Sequence, residues 1–502
     1  MTGSPASPSF HSRAPGAGAI MDAPDRPLPE LPAPAWDRAR RPSGRLLLLY
    51  GRLIGPLLAG YLMFDRAFAY LHVPGTPLYV GELVIVIGVL GVLSATGYLR
   101  AAVRDEPILT LLAVFFVWGL VRFLPGYRAY GINAIRDFSL CYYCLFAFLI
   151  AAALARSPGI LERLVTQLGR FVPWLLVWLP IALLLEPLSA THGPNVPFTA
   201  VSVWTHKPGN AAIAALIALG YLWLFRGERS ARSRTAWSLM AVLVLALSAT
   251  QNRGGLLAVA VGALVGLAFL PDRRRLIGRA AAIMVLALGL AILLPFKFGG
   301  TGLQGRAFSA SQLVANVASI GGAKEAGNLE GTVAGREVLW SLIFHHQVAE
   351  GQLLDGSGFG PNLATEVGIY EGGVADPLRN PHNSHLDVLA RMGLVGFALW
   401  VALWLCWYRR LVARCRRLEQ RGLYARRSVA ILCLMVATAI LVSSFFDPQL
   451  EGAQVAALLW TAFGIGVAVT SFRGWFGDRD LSLGATVSPR PRSHAEPIRH
   501  GP

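Results

Sequence analysis

Long apolar runs separated by short polar segments occupy most of the chain. They fall at 46–64, 78–97, 107–123, 138–155, 166–186, 208–225, 236–250, 254–270, 280–296, 393–408, 429–446 and 453–471. Each approaches the roughly 20 residues that a helix needs to cross a hydrocarbon core of about 30 Å. The pattern predicts an all-α polytopic membrane protein of about twelve transmembrane helices. A transmembrane barrel would show short alternating segments instead. One segment breaks the rhythm. Residues 297–392 are mostly polar and far longer than an ordinary connection. They hold two glycine-rich pieces, "KFGGTGLQG" and "DGSGFGPN", the second read as a turn, and a run with helical spacing, "GREVLWSLIFHHQVAEG". The predicted organisation is a disordered tail at 1–45, a bundle of about nine spans at 46–296, a partly helical outer loop at 297–392, about three spans at 393–472, and a tail at 473–502.

Composition agrees with this picture. The chain is 54% hydrophobic and only 15% charged, against about a quarter charged in a soluble domain. Its formal net charge of +17 would suggest nucleic acid in a soluble protein. Here the arginines sit between spans and alternate. "YLRAAVRDE", "ARSPGILER", "RGERSARSR", "PDRRRLIGR" and "RRLVARCRRLEQRGLYARR" are basic, whereas the intervening segments, 297–392 and "DPQLEG" among them, are mixed or acidic. Cytoplasmic loops collect Lys and Arg, so both termini are expected inside and the 297–392 loop outside. The charge therefore reports topology, and no nucleic-acid partner is expected. Of the five cysteines, Cys141 and Cys144 form a CxxC inside an apolar run, which reads as helix filler rather than a redox or zinc site.

Candidate chemistry lies where the long loop ends, in "RNPHNSHLDVLARMGLVG" (379–396). Asn380-Pro381 reads as a helix start, with Asn as cap and Pro in the first helical position. His382, His385, Leu386, Leu389, Gly393 and Gly396 then share one face, and the two glycines permit a close helix contact. His382 is placed in the first turn. There the positive end of the helix dipole favours the neutral imidazole, the form a general base for a hydroxyl requires. His382 and His385 could alternatively be read as a metal pair, but no H-E-x-x-H pattern or third ligand accompanies them, so no metal or other cofactor is expected.

At this point the chain resembles the O-antigen ligase and polymerase superfamily. Its hallmark is a His followed by Asn, Ser or Gln, nine residues, and Gly-x-x-Gly, which His382-Asn383, Gly393 and Gly396 match in spacing. Arg253 in "SATQNRGGLLAVAVG", Arg336 in "GREVLW", and the large loop before a late span match too. The resemblance covers about 230–400. It implies an architecture like that of the GT-C glycosyltransferases in a bacterial inner membrane, with the site facing the periplasm. The donor would be an undecaprenyl-diphosphate-linked glycan, and the acceptor a hydroxyl of lipid A-core, another glycan or a protein. The transfer would be an inverting, metal-independent step in lipopolysaccharide or surface-polysaccharide assembly. His382 would be the catalytic base. Arg253 and Arg336 would bind the donor diphosphate, a role suited to the planar guanidinium. Arg136 and Lys207, also at outer span ends, would extend a cationic funnel, with Asn383 and His385 as accessory residues. Ligase, polymerase and protein O-oligosaccharyltransferase share this donor side. A reading of another class is a transporter or flippase for lipid-linked anions, although such proteins usually place their sites at the bilayer midplane within internal repeats.

Overall fold

A computed structural model describes residues 44–76, 78–186, 193–199, 201–225, 229–270, 278, 297–301, 307–309, 312–314, 316, 330–369, 379–471, 476 and 480–481. The predicted tails fall almost wholly outside these residues, as does the predicted span 280–296.

The described chain is helical apart from one small hairpin. Helices α1 (Arg45–Ala69), α2 (Val80–Ser94), α3 (Thr96–Asp105), α4 (Pro107–Tyr130), α5 (Ile132–Tyr142), α6 (Leu145–Arg156), α7 (Gly159–Leu185), α8 (Pro208–Leu224), α9 (Ala231–Gln251) and α10 (Arg253–Ala268) come first. Strands β1 (Lys297–Thr301) and β2 (Ala307–Ser309) pair antiparallel. Then come α11 (Glu330–Ala349), α12 (Leu363–Glu366), α13 (Ser384–Gln420), α14 (Tyr424–Ser443) and α15 (Ala453–Val469).

Among the described residues, six helices are long and apolar enough to cross a membrane, and up to eight if each bent pair counts as one span. Three more, α8, α10 and α15, are apolar but shorter. The protein is therefore a multi-pass membrane protein. The two bent pairs depart from the sequence reading in instructive ways. The segment "YLRAAVRDE", expected as a connecting loop, is the amphipathic helix α3, turned 90° from α2. It buries Tyr98 and Ala102 and leaves Arg100 and Arg104 exposed. The predicted fourth span is α5 and α6 joined at a 47° bend, and the CxxC lies at that bend, with both thiols buried and free. Cys141 Sγ stands 3.5 Å from Met392 Sδ.

The core of the bundle is α8, α14 and α15. The apolar window of α14 is 72% buried, against 28% for α4. Helix α10 packs on α14 and α8, α15 on α6 and α14, and α13 on α4. Small residues set these distances: at Gly255 an added methyl would come 2.8 Å from Gly209 Cα, so α8 and α10 touch backbone to backbone near their N-termini.

Helix α13 is not one straight helix. It breaks at Gly393 (φ 65°, ψ −171°), a conformation that an L side chain rarely adopts. The expected partner of this glycine was another helix. It is instead the turn 353–360, because any Cβ on Gly393 would meet the Leu354 carbonyl. A break in a helix orphans backbone groups, and each must find a partner. The Ala390 and Arg391 carbonyls accept from Ser357 N (2.8 Å) and Gly358 N (3.0 Å), and Met392 O from Trp118 Nε1 (2.9 Å). Leu394 N and Val395 N donate to Leu353 O (2.9 Å) and Leu354 O (3.2 Å). "DGSGFG" is the turn the sequence suggested, with Gly356, Gly358 and Gly360 all at positive φ. Arg122 of α4 clamps it through Gly356 O (2.8 Å) and Asp355 (2.7 Å). The break re-aims the first turns of α13, which carry the candidate histidines. Gly396 does make the expected helix contact, packing beside Trp118 of α4.

Candidate functional site

The helix start differs from the reading of "RNPHNS". Asn383, not Asn380, is the N-cap of α13, its Oδ1 accepting from His385 N (3.0 Å) and Leu386 N (3.2 Å). Asn380 instead makes a local turn, its Oδ1 accepting from His382 N (3.1 Å). His382 therefore precedes the helix rather than lying in its first turn, and sits in the left-handed region at φ 50°. Two Asn side chains competing for nearby backbone N–H groups explain the shift, since both satisfy the same local signal. His382 is half-buried just ahead of the helix N-terminus and does not share the helical face assigned to it.

His385 is a packing residue. Its Nε2 lies 2.9 Å from Leu441 O, and its Nδ1 accepts from Trp400 Nε1 at 3.1 Å. With a carbonyl on one nitrogen and an N–H donor on the other, the ring is a neutral tautomer protonated at Nε2. Neither nitrogen is left to join His382 on a metal.

The other elements of the site meet at the turn 444–452 between α14 and α15. The N-terminus of α13 reaches it through Ser384 N to Ser444 O (2.8 Å) and Ser384 Oγ to Asp447 O (3.4 Å). The N-terminus of α8 reaches it through Lys207, whose Nζ pairs with Asp447 at 2.9 and 3.1 Å. The N-terminus of α10 reaches it where Gly254 packs on Phe446. Helix α15 starts directly after it, with Gly452 as its cap residue. Four helix N-termini thus converge, each with a partial positive charge. Asp65 is buried at a kink of α1 and ties down α8, accepting from Lys207 N and Asn210 Nδ2, both at 2.7 Å.

Arg253 is the first residue of α10, after the N-cap Asn252. Arg336 comes from α11 in the long loop. Trp340, one turn on, docks that helix by donating from Nε1 to Pro381 O at 2.7 Å, beside His382. The two arginines are electrostatic neighbours: burial and the Arg253 charge push the Arg336 guanidinium down from its ordinary value, and Asp447 opposes this. The structure thus brings together Arg253, Arg336, Lys207, Asp447 and the His382 turn. Arg136 is exposed on α5, and its charge acts on Tyr79. Lys207 lies in the group but is engaged by Asp447.

A second cluster holds the His382 turn from below. Asp137 of α5 accepts from Arg379 (3.1 Å), Arg391 (3.0 Å) and Gly360 N (3.0 Å). Arg391 also pairs with Asp387 (3.0 Å), and Asn380 Nδ2 donates to Glu451 Oε2 (2.7 Å). Asp447, Glu451 and Trp340 were absent from the sequence reading. The signal for the two acids was their presence in "DPQLEG", a short turn between two apolar runs.

The fold and site describe a helical membrane protein with a cationic polar site at one end of its bundle. The O-Antigen ligase family model matches residues 238–401, a stretch that contains Arg253, Arg336, His382, Asn383 and His385. Over that stretch, about a third of the chain, the protein is similar to the O-antigen ligase family. No curated protein matches the chain.

Proposed function

We propose that this protein transfers a glycan from an undecaprenyl-diphosphate-linked donor to an acceptor hydroxyl at the periplasmic face of the bacterial inner membrane, as an O-antigen ligase. What supports this best is the placing of two neighbouring arginines, from α10 and α11, beside the His382 turn and four helix N-termini. A diphosphate leaving group carries concentrated negative charge. Guanidinium groups and helix N-termini are the two protein devices best matched to it. His382 would take the acceptor proton as its oxygen attacks the anomeric carbon. The carbon–diphosphate bond breaks in the same inverting step, and the diphosphate leaves with its electron pair to Arg253 and Arg336. A lipid diphosphate is already a good leaving group, so no cofactor is called for. About twelve spans with both termini cytoplasmic, in a GT-C-like arrangement, complete the reading.

Deletion of the gene followed by glycan analysis tests it. Accumulation of unligated lipid-linked polymer is the outcome expected of a ligase. A single repeat unit in place of polymer would instead assign a polymerase, and loss of glycan from a protein would assign an oligosaccharyltransferase. A reporter fused within 297–392 should read periplasmic, and a cytoplasmic readout would overturn both the topology and the site.

A further inference from the structure

We infer that Glu451 and Asp387 share a single proton, and that Glu451, acting through Asn380, is the positioning residue that holds His382 at the arginines. The positioning half rests on the transferase reading above.

The geometry carries it. Glu451 Oε2 accepts from Asn380 Nδ2 at 2.7 Å, while Oε1 is buried and meets no N–H or O–H donor among the described residues. Asp387, wholly buried in the first turn of α13, is divided in the same way. Its Oδ1 takes Arg391 Nε at 3.0 Å, and its Oδ2 is buried without a donor among the described residues. The two carboxyls are in side-chain contact with each other. Two buried acceptor oxygens left without donors are costly. One proton between them satisfies both, since a protonated carboxyl donates and a carboxylate accepts.

Charge balance points the same way. The groups acting on the Glu451 carboxyl are Asp137 from α5, Asn380 from the turn, and Asp387 and Arg391 from α13, while Ser139 of α5 holds its backbone carbonyl and Arg379 pairs with Asp137. Asp137, Asp387 and Glu451 are three carboxyls set against the two guanidiniums of Arg379 and Arg391, and a single proton removes the excess. Burial, with the neighbouring Asp387 carboxylate, pushes the Glu451 carboxyl well above the ordinary range.

The link to His382 is direct. Asn380 is held at one end by Glu451 and fixes the His382 backbone N–H with the other (3.1 Å). Loss of the shared proton sets two like charges against each other, drives the carboxyls apart and pulls Asn380 with them. Because the folded-state pKa is raised, the contribution is complete below the ordinary Glu value near 4.3 and is lost as pH rises through the folded value. Transfer should therefore fall on the alkaline side.

The test uses the full-length protein in detergent or lipid. Infrared spectra of wild type at neutral pH should show a protonated carboxyl that disappears in Glu451→Gln. In Glu451→Gln the amide can donate to Asp387 and accept from Asn380 but cannot ionise. It should keep wild-type turnover at neutral pH and lose the alkaline fall. Glu451→Ala should reduce turnover about 100-fold, the cost of misplacing a reacting group by roughly 1 Å, with donor binding retained. The shared proton is overturned if wild type and Glu451→Gln have the same infrared spectrum in the carboxyl region. The positioning role is overturned if Glu451→Gln keeps the alkaline fall or is as slow as Glu451→Ala. If wild type transfers no glycan at all, the transferase reading and the positioning role fall together, while the infrared comparison still decides the proton.

Discussion

Arginines gather at both ends of the bundle and are used differently. At the end where α10 and α15 finish and α14 begins, they close off helix C-termini. Arg426 is buried and donates to Val469 O (2.9 and 3.1 Å) and Ser471 O (2.9 Å). Arg414 reaches Thr470 O, and Arg427 reaches Phe269 O at 2.7 Å. Arg410 pairs with the buried Glu106 at the start of α4. The guanidiniums of Arg426, Arg414 and Arg427 satisfy carbonyls that a helix leaves without partners at its last turn, while Arg410 neutralises a buried carboxylate instead. At the opposite end, Arg253 and Arg336 face helix N-termini, where the backbone offers N–H groups rather than carbonyls and the local field is already positive. Two like charges held together at that end of the dipoles repel each other, and the Asp447 carboxylate offsets part of this. Arginine count alone cannot separate these roles, whereas the polarity of the helix end beside each arginine does.

Substitutions should divide along the same line. The largest effect is expected at His382. His382→Ala should insert and bind donor normally yet transfer at least about 100-fold more slowly, since a positioned base contributes roughly 10²–10⁴-fold. Turnover measured against lipid-linked donor checks this, and a fully active variant would leave His382 as an interfacial turn residue. Next come Arg253→Ala and Arg336→Ala. Charge-assisted contacts of about 1.5–3 kcal/mol each correspond to losses of roughly ten- to over a hundredfold. Arg253→Lys should remain impaired, because a point charge does not replace a planar fork. Wild-type transfer and donor binding in both alanine variants would place the diphosphate elsewhere.

At the end held by Arg426 the direction reverses. Arg426→Ala leaves the Val469 and Ser471 carbonyls without their donor, so about 1–3 kcal/mol of stability should be lost while turnover per folded molecule is unchanged. Thermal unfolding in detergent and specific activity separate the two quantities, and a selective loss of turnover would erase the contrast between the ends. Among residues at the site the smallest catalytic effect is expected for His385→Gln, whose side chain can keep only part of the contacts to Leu441 and Trp400. Melting temperature should drop with transfer reduced by less than about tenfold, well short of the His382 effect. A loss equal to that of His382→Ala would show that the second histidine takes part in the chemistry.

The sequence by itself determined the helical membrane character of this protein, because hydrocarbon thickness sets the length of an apolar run and its composition directly. It also determined which residues to watch. Arg253 stood out from its place at a span end, and Arg336 and His382 from the motifs that carry the family resemblance, and the family match covers all three. Tertiary structure alone decided how they are held. Whether Asn380 or Asn383 caps α13 depends on Glu451 taking the amide of the first and on Ser444 and Asp447 receiving Ser384. Whether Gly393 continues a helix or breaks it depends on a distant turn that supplies donors and acceptors for the freed backbone groups. Lys207 carries the same charge whether or not Asp447 stands beside it, and only the fold brings that carboxylate within 2.9 Å. Local pattern fixes what each residue is able to do, but hydrogen-bond and charge partners are contributed by segments far apart in the chain. Which partner each residue has is therefore settled only when the helices pack.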